Sequence, residues 1–330
     1  MIKKIIIFGS NSFSGAHFID LALSFGMEVY GFSRSLEPNN VFLPYKTNIK
    51  KNNFHFYQVD LNNDIEKIME IINDWQPECI VNFAAQGMVA ESWLHPEHWF
   101  HTNVLSNVIF HDRLRKCQFL KKYIHISTPE VYGSCNGTIG ENTTYNPSTP
   151  YAVSRAACDM SLLSFFKRYK FPVVFTRSAN VYGPGQQLYR IIPKTILCIK
   201  NGMKLHLHGG GHSVRSFIHI RDVVDGTLKV VQKSPAGEIY HFSTDRLISI
   251  RALVEMICKK MGVQFDDVVE VVGERPGKDA AYLLDSTKAK SKLNWQDNIT
   301  LEQGIDETIS WVNDNLNEIK NQKSKYVHKP

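Results

Sequence analysis

The first half of the chain alternates short apolar runs with longer segments of helical periodicity. The apolar runs are four to six residues long and rich in β-branched and aromatic residues, which is typical of strands buried on both faces. Strands that alternate with helices predict an α/β fold with a doubly wound parallel sheet. Six runs are predicted as strands: Ile5–Phe8, Val29–Phe32, Phe54–Val59, Ile80–Phe83, Tyr123–Ile126 and Val173–Thr176.

The pattern changes near residue 180, where glycine and proline become more frequent and the regular alternation is lost. We therefore predict a Rossmann-type dinucleotide-binding domain over residues 1–178, to which later segments of the chain return. A smaller C-terminal α/β domain, mainly for substrate binding, is predicted over residues 179–319. Residues 320–330 are polar and basic, and we expect them to be a flexible tail.

Composition restricts the classes of protein that fit this pattern. The 330 residues are 43% hydrophobic and 21% charged, which is typical of a folded globular chain. No apolar run approaches the roughly 20 residues that span a bilayer, and the first strand follows the N-terminus directly. We therefore expect a cytoplasmic protein without a membrane partner. Six scattered cysteines without a CxxC pair indicate reduced thiols.

Charge gives little support to nucleic-acid or metal binding. Thirty-eight Lys and Arg against 32 Asp and Glu give a net charge of +6, with the densest basic cluster in the tail. A nucleic-acid interface is typically a basic stripe with interleaved aromatic residues, which we do not find. No metal is expected either, because carboxylates and cysteines at ligand spacing are missing around His206, His208, His212, His219 and His241.

A glycine-containing loop follows the first predicted strand and opens a helix. Gly9 permits a tight turn and Gly15 lets the helix pack closely, so that a pyrophosphate can lie against the helix N-terminus. Ser12 stands where a GxxGxxG pattern has its middle glycine, and an ordinary strand-to-helix turn is the alternative. The predicted dinucleotide-binding loop comprises Gly9, Ser10, Asn11, Ser12, Phe13, Ser14 and Gly15.

The ends of the next strands carry further candidate cofactor contacts. The second strand ends in Ser33 and Arg34, without a carboxylate for the adenosine ribose hydroxyls. A hydroxyl beside a guanidinium suits a ribose 2′-phosphate, which favours NADP over NAD, while a solvated arginine is the alternative. The third strand ends in Asp60, which can accept a hydrogen bond from the adenine amine, followed by Leu61. The fourth strand is followed by residues that let a cofactor approach: Ala84, Ala85 and Gln86.

Candidate catalytic residues lie in two segments. Thr128 and Glu130 follow the fifth predicted strand, and Tyr151 and Arg155 lie at the start of a later helix. Residues four apart share a helix face, so Tyr151 and Arg155 are predicted to be neighbours. Because a nearby cation favours phenolate, we expect a lowered pKa for Tyr151 and a role as general base.

The glycine loop, the STxE segment and the YxxxR segment occur in an order that resembles the extended short-chain dehydrogenase/reductase family. The resemblance covers nearly all of residues 1–315 and is strongest to the nucleotide-sugar 4,6-dehydratases within that family. Residues 82–86 and 89–97 are similar to GDP-mannose 4,6-dehydratases. Other segments are more similar to dTDP-glucose 4,6-dehydratases: 180–184, 214–219 and 275–279.

The resemblance implies a lyase that keeps a tightly bound NADP, or alternatively NAD, through its cycle. It implies that Tyr151, assisted by Thr128, takes the proton of the sugar 4-hydroxyl as hydride passes from C4 to the nicotinamide. Glu130 then removes the C5 proton, water leaves from C6, and hydride returns to C6. The implied product is a 4-keto-6-deoxy sugar on a nucleotide diphosphate, made by a homodimer or tetramer.

The resemblance also implies substrate contacts and includes two departures from the family pattern. Arg155 replaces the family lysine, which keeps the charge but changes the length, so the position of the nicotinamide ribose can differ. Pro129 stands where the dTDP-glucose enzymes have an aspartate that protonates the departing hydroxyl, so Glu130 must act as both base and acid. Contacts to the substrate, chiefly its diphosphate, are implied for Asn180, Arg190, Arg215 and Arg275.

Other functions of the same fold are the alternatives. Epimerases that act at C4 generally lack an acid at the position of Glu130, whereas nucleotide-sugar decarboxylases can keep one. A cofactor-binding protein without turnover is the alternative from another class, and Ser12 and Arg155 are its only support in the sequence.

Overall fold

The computed structural model describes residues 2–135, 137–273 and 283–329. The strands are β1 Lys4–Phe8, β2 Glu28–Ser33, β3 Phe54–Gln58, β4 Cys79–Asn82, β5 Lys122–Ile126, β6 Thr138–Ile139, β7 Val173–Ser178, β8 Asn180–Tyr182, β9 Leu205–His208, β10 Val214–His219, β11 Ile239–Phe242, β12 Leu247–Ser249, β13 Val269–Val272 and β14 Leu283–Leu284. The helices are α1 Phe13–Ser24, α2 Ile65–Trp75, α3 Pro96–Phe100, α4 Asn107–Leu114, α5 Pro150–Tyr169, α6 Ile191–Lys200, α7 Ile220–Lys233, α8 Ile250–Lys260, α9 Phe265–Val268, α10 Thr287–Leu293, α11 Leu301–Asp314 and α12 Leu316–Ile319. A π-helical turn, His101–Ser106, precedes α4, and a 3-10 turn, Pro129–Tyr132, follows β5.

Within the described ranges, a central sheet of seven strands has the order β3-β2-β1-β4-β5-β7-β11. Every neighbouring pair in this sheet is parallel. The order reverses at β1, which is the topology of a doubly wound Rossmann-type sheet. All six predicted strands are present, and their ends agree within two residues, so the predicted fold class is confirmed.

The alternation of side chains along β1 explains why helices cover both faces of the sheet. Ile5 and Ile7 belong to one buried cluster, which includes residues of α1, α7 and α10. Ile6 and Phe8 belong to a second cluster, on the opposite face, which includes residues of α2, α4 and α5. Successive strand residues point to opposite faces, so this continuous apolar run requires two helical layers.

The second half of the chain builds smaller elements beside the carboxyl end of the central sheet. Strand β10 pairs with β8 in parallel and with β12 antiparallel. Helices α6, α8 and α11 contribute to a third buried cluster there. Strand β11 returns to the central sheet and α7 packs against α1, so this region is interleaved with the first. A domain boundary at residue 178 stays a prediction.

The tail makes more contacts than its composition predicts. It follows α12 without regular secondary structure, and residues 326–329 lie against the carboxyl edge of the central sheet. All six cysteines are free thiols. Among the described residues, no helix is both long enough and apolar enough to cross a membrane.

Candidate active site and cofactor groove

The loop between β1 and α1 has the close packing that a dinucleotide-binding loop requires. Gly9 has a φ of +74°, and a Cβ there would lie 2.8 Å from the backbone nitrogen of Ala84. A Cβ on Gly15 would lie 2.3 Å from the Gly9 carbonyl oxygen. Ser12 caps α1, because its Oγ accepts a hydrogen bond of 3.1 Å from the Gly15 amide. The serine that departs from the glycine pattern therefore stabilises the helix start.

Two polar atoms of this loop are buried without a hydrogen-bond partner among the described residues: Ser10 Oγ and Asn11 Oδ1. The other end of the Asn11 amide donates to the carbonyls of Ser35, at 2.7 Å, and Leu36, at 3.0 Å. Because an unsatisfied buried polar atom is costly, such a pair indicates a ligand that completes the site. A hydroxyl donor and an amide acceptor suit the phosphate and ribose groups of a dinucleotide, so the loop fits the predicted cofactor.

The other predicted cofactor residues lie at the same edge of the sheet, because the carboxyl ends of parallel strands meet there. Asp60 stabilises its own turn, since Oδ1 accepts from the Asn62 amide at 2.9 Å and Oδ2 from the Asn63 side chain at 3.3 Å. The Ala84 amide donates to Asn82 Oδ1 at 2.9 Å, which fixes the backbone over Gly9. The predicted residues along this edge are Ser33, Arg34, Asp60, Leu61, Ala84, Ala85 and Gln86.

The structure brings Thr128, Glu130 and Tyr151 together. Thr149 caps α5 by accepting from the Ala152 amide at 3.1 Å, which places Tyr151 in the first turn of that helix. Thr128 caps the 3-10 turn after β5 and accepts from the Glu130 amide at 3.3 Å. The Thr128 hydroxyl is hydrogen-bonded to Tyr151, and the Glu130 carboxylate is close enough to act electrostatically on the phenol. Three of the four predicted catalytic residues therefore lie together, and their catalytic roles stay a prediction.

The predicted direction of the Tyr151 pKa is wrong for the protein without its cofactor. Burial raises the pKa of Tyr151, and the negative charge of Glu130 raises it further. Arg155, the Thr128 hydrogen bond and Arg190 lower the pKa, as the sequence predicts for Arg155, but they do not outweigh burial. Arg190 is thus part of the electrostatic surroundings of the phenol.

Arg155 turns toward the end of β5. Its guanidinium is 2% exposed, and Nη2 donates to the Ile126 carbonyl and lies 3.2 Å from His125 Nε2. Its Nε and Nη1 are buried without a hydrogen-bond partner among the described residues. Unused guanidinium donors beside Tyr151 fit the hydroxyls of a nicotinamide ribose, the group that the family lysine would hold.

A buried ionic network that the sequence analysis missed lies beneath the catalytic turn. Asp159 Oδ2 accepts from Arg177 at 2.8 Å and from the Ser127 hydroxyl at 2.6 Å. His125 Nε2 lies 3.3 Å from the other carboxylate oxygen. Although burial alone would raise the pKa of Asp159, Arg177 and His125 hold it well below its usual range. Two signals were available: Asp159 follows Tyr151 and Arg155 at helical spacing, and Arg177 interrupts an apolar strand.

Asn103 is a second missed residue. Its Oδ1 accepts from the Gln86 amide at 2.8 Å, and its Nδ2 donates to the Gln86 carbonyl at 3.1 Å and to Ser154 Oγ at 2.9 Å. It therefore joins the end of β4 to the first turn of α5. Asn103 lies in the π-helical turn, a geometry that is frequent at functional sites and has no simple sequence signal.

The predicted substrate residues fall into two groups. Asn180 on β8 and Arg215 on β10 lie on paired strands, and Asn180 Nδ2 donates to the Ser216 carbonyl at 3.1 Å. Arg190 lies apart from them, on the Tyr151 side of the site. Arg275 lies outside the described residues, so its role in substrate binding stays a prediction.

Within the described ranges, one group of side chains could hold a metal ion: His95 and Glu97, which are exposed, and His98, which is half-buried. The potential ligand atoms of His95, Glu97 and His98 all lie within 4.8 Å of one another. The histidines considered in the sequence are not among them. The absence of a metal stays a prediction.

The parallel sheet, the glycine loop at its switch point and the converged Thr128, Glu130 and Tyr151 define an extended short-chain dehydrogenase/reductase. The chain belongs to the GDP-mannose 4,6-dehydratase family, whose profile matches residues 6–308. The human dTDP-D-glucose 4,6-dehydratase is 32% identical over 277 residues, which cover 82% of this chain and 78% of the human protein.

Solved structures agree with this assignment. The dTDP-glucose 4,6-dehydratase of Bacillus anthracis, in complex with NAD, superposes with a TM-score of 0.86 at 29% identity, covering 96% of this chain and 98% of that chain. The UDP-glucose 4-epimerase of Thermotoga maritima, with UDP-glucose, gives a TM-score of 0.85 at 26% identity, covering 94% of this chain and 99% of that chain. With the dehydratase family matched, the chain is an NAD(P)-dependent nucleotide-sugar 4,6-dehydratase, a lyase.

Proposed function

We propose that the protein converts a nucleotide-diphosphate hexose or heptose into the corresponding 4-keto-6-deoxy sugar through Tyr151, Glu130 and Thr128. The observation that carries this proposal is the position of the Glu130 carboxylate beside the Tyr151 phenol. An oxidation at C4 needs one base, whereas dehydration needs a second group that removes the C5 proton. An epimerase has no use for that second carboxylate.

Each step assigns a proton to a stated atom. Tyr151 reacts as its phenolate, which the Arg155 charge and the Thr128 hydrogen bond stabilise, and its Oη accepts the proton of the sugar 4-hydroxyl. A bound nicotinamide would supply the hydride chemistry, as the acceptor of hydride from C4 and its donor to C6. Glu130 removes the C5 proton, which the 4-ketone acidifies, and protonates the 6-hydroxyl so that the C6–O bond breaks and water leaves. A proton from solvent then reaches C5 through Glu130 as hydride is added at C6, and Tyr151 releases its proton to solvent, so that both residues return to their starting forms.

Glu130 acts as both base and acid because the neighbouring residue, Pro129, cannot donate or accept a proton. Pro129 occupies the first position of the 3-10 turn and is buried, and its side chain has no ionisable group. Pro129 also fixes the backbone there, so that Thr128 can cap the turn and present Glu130 toward Tyr151. The turn is thus rigid where one carboxylate must serve two steps.

For the cofactor we propose NADP rather than NAD. The end of β2 offers Ser33, Arg34 and Ser35, and the nearest carboxylate along the chain, Glu37, is paired with Tyr45 and Lys46. A guanidinium beside two hydroxyls suits a 2′-phosphate, because both groups donate hydrogen bonds to phosphate oxygens. The related Bacillus anthracis structure is in complex with NAD, so the identity of the retained dinucleotide must be measured directly.

For the substrate diphosphate we propose Asn180, Arg190, Arg215 and Arg275. Arg190 is exposed near Tyr151, and Asn180 and Arg215 lie on the neighbouring strands β8 and β10, where the register pairs Asn180 with Phe217. Guanidinium groups suit this role because their planar donors match phosphate oxygens. A panel of GDP-, dTDP-, UDP- and CDP-sugars identifies the base, and 4-keto products are detected by their absorbance in alkali.

The variant Glu130→Gln tests the proposal most directly. An amide is no base, so we expect oxidation at C4 without proton removal at C5. Absorbance of the reduced cofactor should accumulate in the near ultraviolet, and solvent deuterium should not enter C5. Glu141→Gln, which changes a carboxylate outside the catalytic turn, is the matched control. Exchange at C5 at the parent's rate in Glu130→Gln would make Glu130 a bystander and favour the epimerase alternative.

We further propose a cytoplasmic homodimer built on helices α4 and α5. Large apolar side chains are exposed along this face and do not contribute to the core. A contiguous exposed apolar surface is typical of a protein interface, and a second copy of the chain is its simplest partner. Six free cysteines suit a reducing compartment. Light scattering tests the dimer by comparing the parent with variants in which lysine replaces one of the exposed apolar residues Leu105, Ile109, Val153 and Met160.

A further inference from the structure

The C-terminal tail lies across the cofactor groove. Its last described residues, Tyr326 to Lys329, run from Tyr189 beside Arg190 to Ser35 at the end of β2. The carboxyl edge of a doubly wound sheet is where a dinucleotide binds, so the tail and the cofactor use the same surface.

Lys329 contacts residues of the proposed cofactor site. The Lys329 carbonyl accepts from Gln86 Nε2 at 2.6 Å and from Arg34 Nη2 at 3.2 Å. The Lys329 ammonium donates to Ser35 Oγ at 2.7 Å. With the tail in place, Gln86 is only 3% exposed. The hydrogen bond to the Lys329 carbonyl therefore satisfies a side-chain amide that has little access to water.

An aromatic contact fixes the middle of the tail. The His328 ring is stacked on Trp99, with centroids 5.1 Å apart and planes 6° from parallel. His328 Nε2 lies 2.8 Å from His98 Nδ1, and its Nδ1 lies 3.2 Å from the Tyr326 hydroxyl. Trp99 is fully buried and belongs to α3, so the tail is anchored on a rigid element.

We propose that residues 326–329 act as an intramolecular competitor of the dinucleotide. This inference rests on the proposed cofactor site. The Lys329 carbonyl accepts hydrogen bonds from Gln86 and Arg34, as an acceptor atom of the cofactor would. These two side chains therefore cannot bind the tail and the cofactor at the same time with all of their donors. The tail must leave before the adenosine half of the cofactor binds, and it can return only when the cofactor leaves.

Competition of this kind has a defined kinetic signature. If the tail is docked for about nine-tenths of the time, the apparent Kd of the cofactor rises about tenfold over the intrinsic value. A dehydratase returns its hydride in each cycle, so the cofactor need not leave between turnovers. The tail therefore controls loading of the cofactor and leaves kcat of the loaded enzyme unchanged.

The experiment compares the full chain with a chain that ends at Gln322, which keeps α12 intact. Both are freed of cofactor, and NAD and NADP are titrated by calorimetry. We expect the truncation to lower Kd about tenfold, His328→Ala to lower it part of the way, and the matched control Lys325→Ala, in the exposed part of the tail, to leave it unchanged. A synthetic peptide of residues 323–330 added to the truncated chain should raise Kd again, and kcat at saturating cofactor should match that of the full chain.

Each other outcome overturns the inference. Equal Kd values for the full and truncated chains would show that the tail does not compete, with the proposed function left intact. A weaker Kd after truncation would make the tail a lid that holds the cofactor. If His328→Ala, which leaves the rest of the chain in place, does not change Kd, the docked tail has no effect on binding. If neither chain binds a dinucleotide, the proposed function fails together with this inference.

Discussion

The two ends of the cofactor groove are built in different ways. At the catalytic end, the turn that carries Thr128 and Glu130 rests on a fully buried network centred on Asp159 and Arg177. At the adenosine end, Arg34 is partly exposed and bonds to a tail segment that has no regular secondary structure.

The difference follows from what each end must do. Proton transfer at Tyr151 and Glu130 requires positions fixed to a fraction of an ångström, and a buried network with several hydrogen bonds provides them before substrate binds. Binding of an adenosine half tolerates a site that exchanges partners, because no bond is broken there. The buried ionic network therefore lies beneath the catalytic residues, whereas contacts that can exchange partners lie at the adenosine end of the cofactor site.

The largest expected effect belongs to Tyr151→Phe at the catalytic end. Removal of the hydroxyl takes away the general base while the ring and its packing stay, so turnover should fall by about 10²–10⁴ with an unchanged melting temperature. Single-turnover absorbance of the bound cofactor measures the hydride step. Tyr182→Phe is the control, because it removes a hydroxyl that donates to the Thr300 and Leu301 carbonyls, outside the Asp159–Arg177 network. Turnover of Tyr151→Phe near the parent's would contradict the assigned role.

Asp159→Asn tests whether the catalytic end depends on its buried network. The variant leaves the Arg177 cation without its carboxylate, and loss of one partner of a buried pair typically costs about 3–5 kcal/mol. Chemical denaturation measures this cost, and Asp112→Asn, in an exposed pair with Arg115, should change stability little. A parent-like unfolding curve for Asp159→Asn would show that the network is dispensable.

The same network predicts the acid limb of stability. The pKa of Asp159 is lower in the folded chain than its ordinary value of about 3.9, so the folded state favours the charged carboxylate. Its contribution to stability is fully present above that ordinary value and is lost as pH falls toward the lower folded pKa. In Asp159→Asn this part of the acid dependence should disappear from the denaturation curves.

The sequence predicts which residues form the adenosine end and the catalytic turn, but it does not predict the buried contacts that position them. Gly9, Ser12 and Tyr151 follow from local patterns, because strand ends, helix caps and helical spacing are local properties. The Asp159–Arg177 pair joins α5 to β7, and Asn103 depends on a π-helical turn, so both require the tertiary structure. The pKa of Tyr151 was misjudged because a sequence shows the nearby cation but does not give the extent of burial.

A smaller effect is expected for Arg34→Ala at the adenosine end. A charge-assisted hydrogen bond is worth about 1.5–3 kcal/mol, so we expect the variant to weaken NADP binding at least tenfold and NAD binding less. The comparison is made in the chain that ends at Gln322, because Arg34 also bonds to the tail. Arg168→Ala is the control, because it removes an exposed arginine in the last turn of α5, at the opposite end of that helix from Tyr151. A purified parent that carries NAD alone would refute the NADP assignment.

The smallest expected effect is the pH dependence of tail docking. It concerns the adenosine end of the groove and needs no substitution at either end. Burial lowers the pKa of His328, and the neighbouring His98, His95 and Arg34 lower it further, against a small opposing effect of Glu91. The docked tail therefore disfavours the protonated ring, so docking is strongest above the ordinary histidine pKa of about 6.5 and weakens as pH falls below it. Glu97 lies 3.6 Å from His98 and 3.7 Å from His95, beside the stacked rings.

The measured quantity is the ratio of cofactor Kd values between the full chain and the chain that ends at Gln322. A change of a few-fold is expected: the ratio should fall toward one between pH 8 and pH 6, because protonation of His328 releases the tail. Each Kd is divided by that of the truncated chain at the same pH, so titrating groups of the groove itself cancel. In His328→Ala the ratio should not vary with pH. A ratio that rises as pH falls would show that tail docking favours the protonated ring.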